Sequence, residues 1–247
     1  APDSLTTWTG CVLRDRGLWH LFYTGTSRKE EGKIQRICKA TSTDLDRWRR
    51  SAPSEVVELD PAWYEELDLA CWYDQSWRDP WVMRDPETGC FHMFMTCRVN
   101  SGAADGRGAI GHALSDDLEH WQVGPPIMAP GWFGEMEVPQ VERIGDYWYL
   151  FCSVSARFHN QAARSALPPP VRTGTIYFIA DRLAGPVGQA EHGQPAPGGG
   201  GRGRRVAPGH PERQLHVLPG REQRQQPVAL EHQRHPVPAQ GLAAGRA

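Results

Sequence analysis

The amino-acid sequence predicts an all-β fold of the β-propeller type, in which several small antiparallel sheets fan around one axis. One pattern of strand-forming segments recurs three times, at a spacing of roughly 55–75 residues. These segments are rich in aromatic and β-branched residues and are separated by Gly, Asp and Ser, which favours strands over helices. One such sheet cannot bury both of its faces, whereas stacked repeats can. The alternative, a β-sandwich, would not repeat the same strand order and side-chain pattern.

The predicted strands follow the same order in each unit. Each unit opens with a short apolar strand, at residues 8–12, 78–82 and 137–141. A turn at Gly or Asp leads into an aromatic strand, at residues 17–23, 90–95 and 146–151. A loop then leads into a third strand, at residues 40–45, 113–118 and 174–180. The first two of these strands have the pattern Ala-x-Ser-x-Asp-Leu and are followed by Trp. In a propeller the opening strands line the central channel, so residues at the three openings are predicted to meet in one cavity.

The composition divides the 247 residues into two parts. All 10 Trp lie between Trp8 and Trp148, and the last aromatic residue is Phe178. From Arg182 onward the chain has 9 Arg and 4 Glu, hence a charge of +5 that leaves −7 for the rest. We therefore predict an incomplete propeller domain over residues 1–187 and a disordered tail without contacts, rich in Gly, Pro and Arg, over residues 188–247.

Several classes of site and partner are excluded by the sequence. No run approaches ~18 consecutive apolar residues, so no membrane span is predicted. The six cysteines form no Cys-x-x-Cys pair or other zinc spacing, so we predict no metal and no cofactor, and we expect the cysteines to be small buried residues. The basic tail lacks Lys clusters and interleaved aromatic residues, which argues against nucleic acid. The first residues show no signal peptide, and the location, secreted or cytoplasmic, stays open.

The residues at the strand openings have the chemistry of a sugar-cleaving site. They include Trp8, Arg78, Asp79 and Glu137. Two carboxylates that face one aromatic-lined cavity are the arrangement that cleavage of a glycosidic bond requires. A carbohydrate is therefore the predicted partner.

Three short motifs at these openings resemble those of glycoside hydrolase families 32 and 68, the invertase, levanase and levansucrase group. Arg78-Asp79-Pro80 resembles their Arg-Asp-Pro motif, and Glu137-Val138-Pro139 resembles their Glu-Cys-Pro motif. Residues 8–11 (Trp-Thr-Gly-Cys) resemble their Trp-Ser-Gly-Ser segment. The resemblance covers roughly residues 4–187, and it depends on the order and spacing of the motifs.

The resemblance implies a five-bladed propeller that cleaves β-fructosides of the sucrose, levan or inulin type with retention of configuration. In this scheme Asp79 stabilises the transition state and Glu137 is the acid/base, while Arg78 orients a carboxylate. Trp8, Trp77 and Arg78 are the implied substrate-binding residues, and Trp8, Trp77 or Trp132 would supply an apolar wall that raises the pKa of the acid.

Alternative interpretations remain for the site and for the activity. Asp79 before Pro80 is also typical of a turn, and Glu135 competes with Glu137, which we favour because a proline follows it two residues later. The related family 43 arabinosidases and xylosidases, and a non-catalytic sugar-binding propeller, are the alternative functions.

Two departures from the family pattern suggest that this copy is impaired. The nucleophile segment of the family lies one blade before the Trp-Ser-Gly-Ser segment, and Asp3 lacks its flanking pattern. We therefore expect about three blades, with the nucleophile blade missing. Past Pro186 the propeller pattern ends, and the 24 Arg against 3 Lys indicate GC-rich coding DNA, which suggests a frameshift near Val187.

Overall fold

Three four-stranded antiparallel sheets, here called blades 1 to 3, make up the computed structural model, which describes residues 1–167, 169–183 and 214–217. Blade 1 contains β1 (Thr6–Asp15), β2 (Leu18–Thr26), β3 (Gln35–Ser42) and β4 (Arg49–Val57). Blade 2 contains β5 (Trp77–Arg84), β6 (Phe91–Arg98), β7 (Gly108–Ser115) and β8 (Gln122–Met128). Blade 3 contains β9 (Glu137–Ile144), β10 (Tyr147–Val154), β11 (Gly174–Ala180) and β12 (Gln214–Val217). Because each sheet follows the chain order, the all-β prediction and the repeat are confirmed.

The described part of the chain contains little helix. A single α-helix, α1 (Gln161–Ala166), follows β10, and its N-cap Asn160 accepts a hydrogen bond from the Ala163 N–H. No described helix has the length and apolar character needed to cross a bilayer.

The third strand of blades 1 and 2 ends earlier than predicted. β3 ends at Ser42, and its Oγ accepts hydrogen bonds from the N–H groups of Asp44 and Leu45. Leu45 has a φ of 67°, and Leu118 in blade 2 has a φ of 65°. The Asp-Leu pair is therefore a turn rather than a strand end, because the Ser and Asp side chains compete for the backbone N–H groups. This turn leads into a fourth strand that the sequence pattern did not indicate.

Blade 2 is buried on both faces because it lies between the other two blades. Every residue of β6 is buried, and side chains that alternate along it enter two different clusters. Met93, Met95 and Cys97 pack in the cluster toward blade 1, whereas Phe94 packs in the cluster toward blade 3. The opening strand β5 packs against both β1 and β9, which brings the three openings together.

The cysteines and the tail complete the comparison with the sequence predictions. All six cysteines are free, and Cys11, Cys38, Cys97 and Cys152 are buried, as expected for small core residues. The predicted boundary at residue 187 and most of the predicted tail lie outside the described residues. Within that tail Gln214–Val217 pairs with β11, so the expectation of a tail without contacts is wrong for these four residues.

Candidate active site

Each blade opening departs from regular strand geometry at the predicted motif. The β1–β2 register shifts between Thr7 and Gly10, and the β5–β6 register shifts between Arg78 and Trp81. Gly10 allows the first irregularity, since a Cβ atom there would lie 2.2 Å from the Phe22 carbonyl oxygen. Bulges of this kind redirect side chains and are common beside active sites.

Asp79 and Val138 have left-handed backbone conformations at these openings, with φ values of 55° and 51°. Such conformations cost on the order of 1–3 kcal/mol each in residues other than glycine, and the cost is highest for β-branched residues such as Val. Surrounding hydrogen bonds must therefore hold them in place.

Hydrogen bonds connect the three openings to one another. The buried Thr24 Oγ1 accepts the Asp79 N–H at 2.8 Å and donates to the Thr9 carbonyl oxygen at 3.1 Å. The Asp79 Oδ2 atom accepts the Val138 N–H at 3.2 Å and the Thr96 hydroxyl at 2.9 Å. Motifs far apart in sequence are thus fixed at one place, as the repeat predicted.

A pocket of about 320 Å³ opens where the three motifs meet. Its lining includes residues from all three opening strands and from the loop before β5, namely Trp8, Thr9, Tyr73, Asp74, Arg78, Asp79, Glu137 and Val138. Four of the five predicted site residues therefore lie in one pocket. The fifth, Trp77, does not line it.

Arg78 is the electrostatic centre of the pocket. Arg78 is only 4% exposed, and its guanidinium contacts the carboxylates of Glu135 at 2.7 Å, Glu137 at 3.1 Å and Asp79 at 3.6 Å. It also donates to Gln35 Oε1 and Ser76 Oγ, both at 3.0 Å. Burial alone lowers the pKa of Arg78, but the surrounding carboxylates raise it above its ordinary value. Arg78 thus contacts three carboxylates at once.

Glu135 and Glu137 occupy different environments although they are two residues apart. The Glu137 side chain is 34% exposed and faces the pocket, whereas that of Glu135 is 1% exposed. Glu135 accepts hydrogen bonds from Trp72 Nε1 at 3.0 Å and from the Tyr73 hydroxyl at 2.5 Å. Burial, followed by this hydrogen bond to Glu135, raises the pKa of Tyr73. Glu137 is therefore accessible from the pocket, whereas Glu135 is buried against Arg78.

The tryptophans differ from the predictions. Trp8 is 45% exposed and lines the pocket. The prediction that Trp77 binds substrate is wrong, because its side chain is 1% exposed, packs against Tyr64 and donates to the Val57 carbonyl oxygen. Trp77 and Arg78 are neighbours in a strand and point to opposite faces. Trp132 packs in the core toward blade 3 and does not line the pocket either.

Asp3 lies away from the pocket. Its Oδ2 atom accepts a hydrogen bond from the Tyr23 hydroxyl at 2.8 Å and pairs with Arg50 at 3.0 Å. These contacts give Asp3 a structural role in blade 1.

The sequence did not single out Tyr73, Asp74 and Gln35, which complete the site. Tyr73 and Asp74 lie on the loop shortly before β5, and this run of aromatic and acidic residues before an Arg-Asp-Pro motif was an available signal. Gln35 lies 43 positions before Arg78, and nothing in its local pattern marks it. Across the described residues no group of three or more His, Cys, Asp or Glu is arranged to hold a metal ion.

Comparison with known proteins identifies the fold. No protein-family model and no curated protein matches the sequence. Among solved structures, Bacillus subtilis levansucrase is similar, with a TM-score of 0.58 and 16% identity over 74% of this chain and 52% of the levansucrase. The inulosucrase from Halalkalicoccus jeotgali bound to kestose has a TM-score of 0.57 and 23% identity, over 72% of this chain and 48% of that one. A β-fructofuranosidase from Microbacterium saccharophilum K-1 has a TM-score of 0.53 and 18% identity, over 72% of this chain and 40% of the β-fructofuranosidase.

These likenesses establish the fold of the described residues. The chain has the β-propeller fold of the levansucrase, inulosucrase and β-fructofuranosidase structures, as the motif resemblance implied. It spans about half the length of the levansucrase and inulosucrase chains.

Proposed function

We propose that the pocket belongs to a glycosidase site of the β-fructosidase type, in which Asp79 and Glu137 form the working carboxylate pair. The observation that carries the proposal is that Arg78 contacts both carboxylates in one pocket, although they are 58 positions apart. Glycoside cleavage uses carboxyl groups placed around one sugar, and in this proposal Glu137 is the acid/base and Asp79 the group that stabilises the transition state, not the nucleophile.

Glu137 is assigned the transfer of the proton. Its side chain is partly exposed to the pocket and is held on one side by Arg78 NH2 at 3.1 Å. When Glu137 takes up a proton from solvent it can protonate the leaving oxygen, and the resulting carboxylate beside Arg78 can then accept a proton from water.

Asp79 is assigned the binding of the sugar ring. Within the described residues the hydrogen bonds and the ion-pair contact of its carboxylate all involve Oδ2, from Thr96, Val138 and Arg78. Oδ1 is therefore left to accept a sugar hydroxyl. A fixed carboxylate stabilises positive charge that develops on the ring, because its position needs no rearrangement during the reaction.

The solved relatives support a fructoside as the substrate class. They are described as levansucrase, inulosucrase and β-fructofuranosidase, and the inulosucrase is bound to kestose. None of the three is described as an arabinosidase or a xylosidase, so the fructosidase proposal is favoured over the family 43 alternative.

The test is release of reducing sugar from sucrose, levan and inulin, compared with arabinan and xylan. We expect turnover of the fructosides only, and we expect Glu137→Gln and Asp79→Asn each to lose at least ~100-fold in rate. Glu142→Gln, which alters an exposed glutamate of β9, is the matched control and should retain the rate. Full activity of Glu137→Gln would contradict the assignment of the acid, and turnover of arabinan alone would contradict the substrate class. The sequence also predicts that this copy has impaired activity, and the same rates of sugar release test that prediction.

A further inference from the structure

Asp74 is a third carboxyl group that faces the pocket. It lies on the loop before β5 and lines the same pocket as Asp79 and Glu137. Its side chain is half-buried, with Oδ2 accepting from Gln35 Nε2 at 2.6 Å and Oδ1 accepting from Ser76 Oγ at 3.3 Å. Neutral side chains therefore hold Asp74 in a fixed position against the pocket.

The charges around Arg78 do not balance. Four carboxyl groups act on this one guanidinium, those of Asp74, Asp79, Glu135 and Glu137. Arg78 is the one positively charged residue in the described lining of the pocket. If all four carboxyl groups were ionised, the cluster would have a net charge of −3, and like charges close together in a partly buried site favour uptake of a proton.

Asp74 is the carboxyl group of the cluster that is protonated most easily. Arg78 makes an ion-pair contact with each of the other three, whereas the described partners of Asp74 are the neutral groups of Gln35 and Ser76. Burial is the largest cause and raises the pKa of Asp74 above its ordinary value, and the charge of Glu135 adds to it, whereas the attraction of Arg78 and the hydrogen bonds from Gln35 and Ser76 oppose the rise only in part. The groups that face Asp74 are thus Gln35 from β3, Tyr73 and Ser76 from its own loop, Arg78 from β5 and Glu135 from the segment before β9.

We propose that Asp74 keeps the proton of this cluster and uses it to donate a hydrogen bond to a sugar hydroxyl in the pocket. This inference rests on the proposed function, because it takes a sugar as the ligand. A neutral carboxyl group offers one donor and one acceptor, which is the pairing that a hydroxyl needs, whereas a carboxylate only accepts. Sugar affinity should then fall as the pH rises and Asp74 loses its proton.

The first measurement needs no ligand. The whole chain, labelled with ¹³C at the aspartate carboxyl carbons, is titrated by NMR, and the Asp74 signal is identified by its loss in Asp74→Asn. We expect this signal to titrate clearly above the ordinary aspartate value of about 3.9. Titration at or below that value would overturn the proposal whether or not a sugar binds.

The second measurement is the affinity for sucrose by calorimetry between about pH 4 and about pH 8. We expect the affinity of the unmodified chain to fall by up to about tenfold per pH unit above the titration of Asp74, and that of Asp74→Asn to stay nearly constant, because the amide is a permanent donor. Glu66→Gln, an exposed glutamate in the same connection between blades 1 and 2, is the control and should follow the unmodified chain. Loss of binding in Asp74→Asn at every pH, with an unchanged circular dichroism spectrum, would overturn the proposal. If Asp74 titrates above the ordinary value but sucrose does not bind, the proposed function is rejected, and the hydrogen bond from Asp74 to a sugar is rejected with the function. The assignment of the proton to Asp74 would stand in that case.

Discussion

Removal of the Arg78 charge is expected to destabilise the protein strongly, and more so at high pH. In the substitution Arg78→Met the side chain keeps a similar length and apolar stem but loses five hydrogen-bond donors. Glu135, 1% exposed, would then be left with only the hydrogen bonds from Trp72 and Tyr73. Breaking a buried ion pair by removing one partner costs about 3–5 kcal/mol, because the other charge stays buried and unpaired.

The pH dependence follows from the remaining carboxyl groups. Without the guanidinium the negative charges of the carboxylates at the site stay buried and close together with no opposite charge beside them. The cost of this repulsion and burial grows as the pH rises and more of the carboxyl groups are ionised. The free energy of unfolding of the variant, relative to that of the unmodified chain, should therefore fall as the pH rises from about 5 to about 8.

The assay is urea unfolding followed by tryptophan fluorescence at both ends of that pH range. Arg143→Met is the matched control, because the ion pair of Arg143 with Glu87 at 3.4 Å is exposed on both sides, and it should change the free energy of unfolding by less than about 1 kcal/mol. A loss in Arg78→Met no larger than that of the control, or a loss that does not depend on pH, would refute the electrostatic role of Arg78.

Two further changes test the surroundings of the site. Acid should weaken blade 2, because burial, together with the smaller effect of the neighbouring His92 at 2.9 Å, lowers the pKa of His112 from 6.5 to about 3. The stabilisation by neutral His112 is complete above the pKa of histidine in the unfolded chain and is lost as the pH falls below it. The free energy of unfolding should therefore drop by about 2–3 kcal/mol between about pH 7.5 and about pH 4.5, and by less in His112→Phe. An equal drop in His112→Phe would show that His112 is not the cause. Trp72→Phe keeps an aromatic ring under the Arg98 guanidinium, 3.7 Å away, but removes the donor to Glu135. It should cost about 1–3 kcal/mol in urea unfolding, and an unchanged stability would show that this hydrogen bond does not support Glu135.

The meeting of the site residues in one pocket could be predicted from the sequence because the motifs fall at equivalent positions of the repeated units. Trp8, Arg78 and Glu137 lie at the same position of three similar units, and in stacked sheets such positions meet at one end of the axis. The spacing of the motifs thus contains information about the third dimension that none of the tripeptides contains by itself.

The remaining features depend on local geometry that motifs do not specify. The sequence prediction for Trp77 is wrong because side chains alternate along β5, so the neighbour of Arg78 in sequence places its indole in the core between blades. Asp74 and Tyr73 lie on an irregular loop, and such a loop has no strand periodicity from which the direction of its side chains could be predicted. The different burial of Glu135 and Glu137 arises because Glu135 precedes β9 and lies under Trp72 and Tyr73.

The most direct test of the central claim is a crystal structure of the Glu137→Gln variant soaked with sucrose. The account predicts a sugar in the pocket beside Trp8, with hydroxyls in contact with Asp79 Oδ1 and with the side chain at position 137. A sugar bound elsewhere on the blades, or an Asp79 that faces a different surface from position 137, would contradict it.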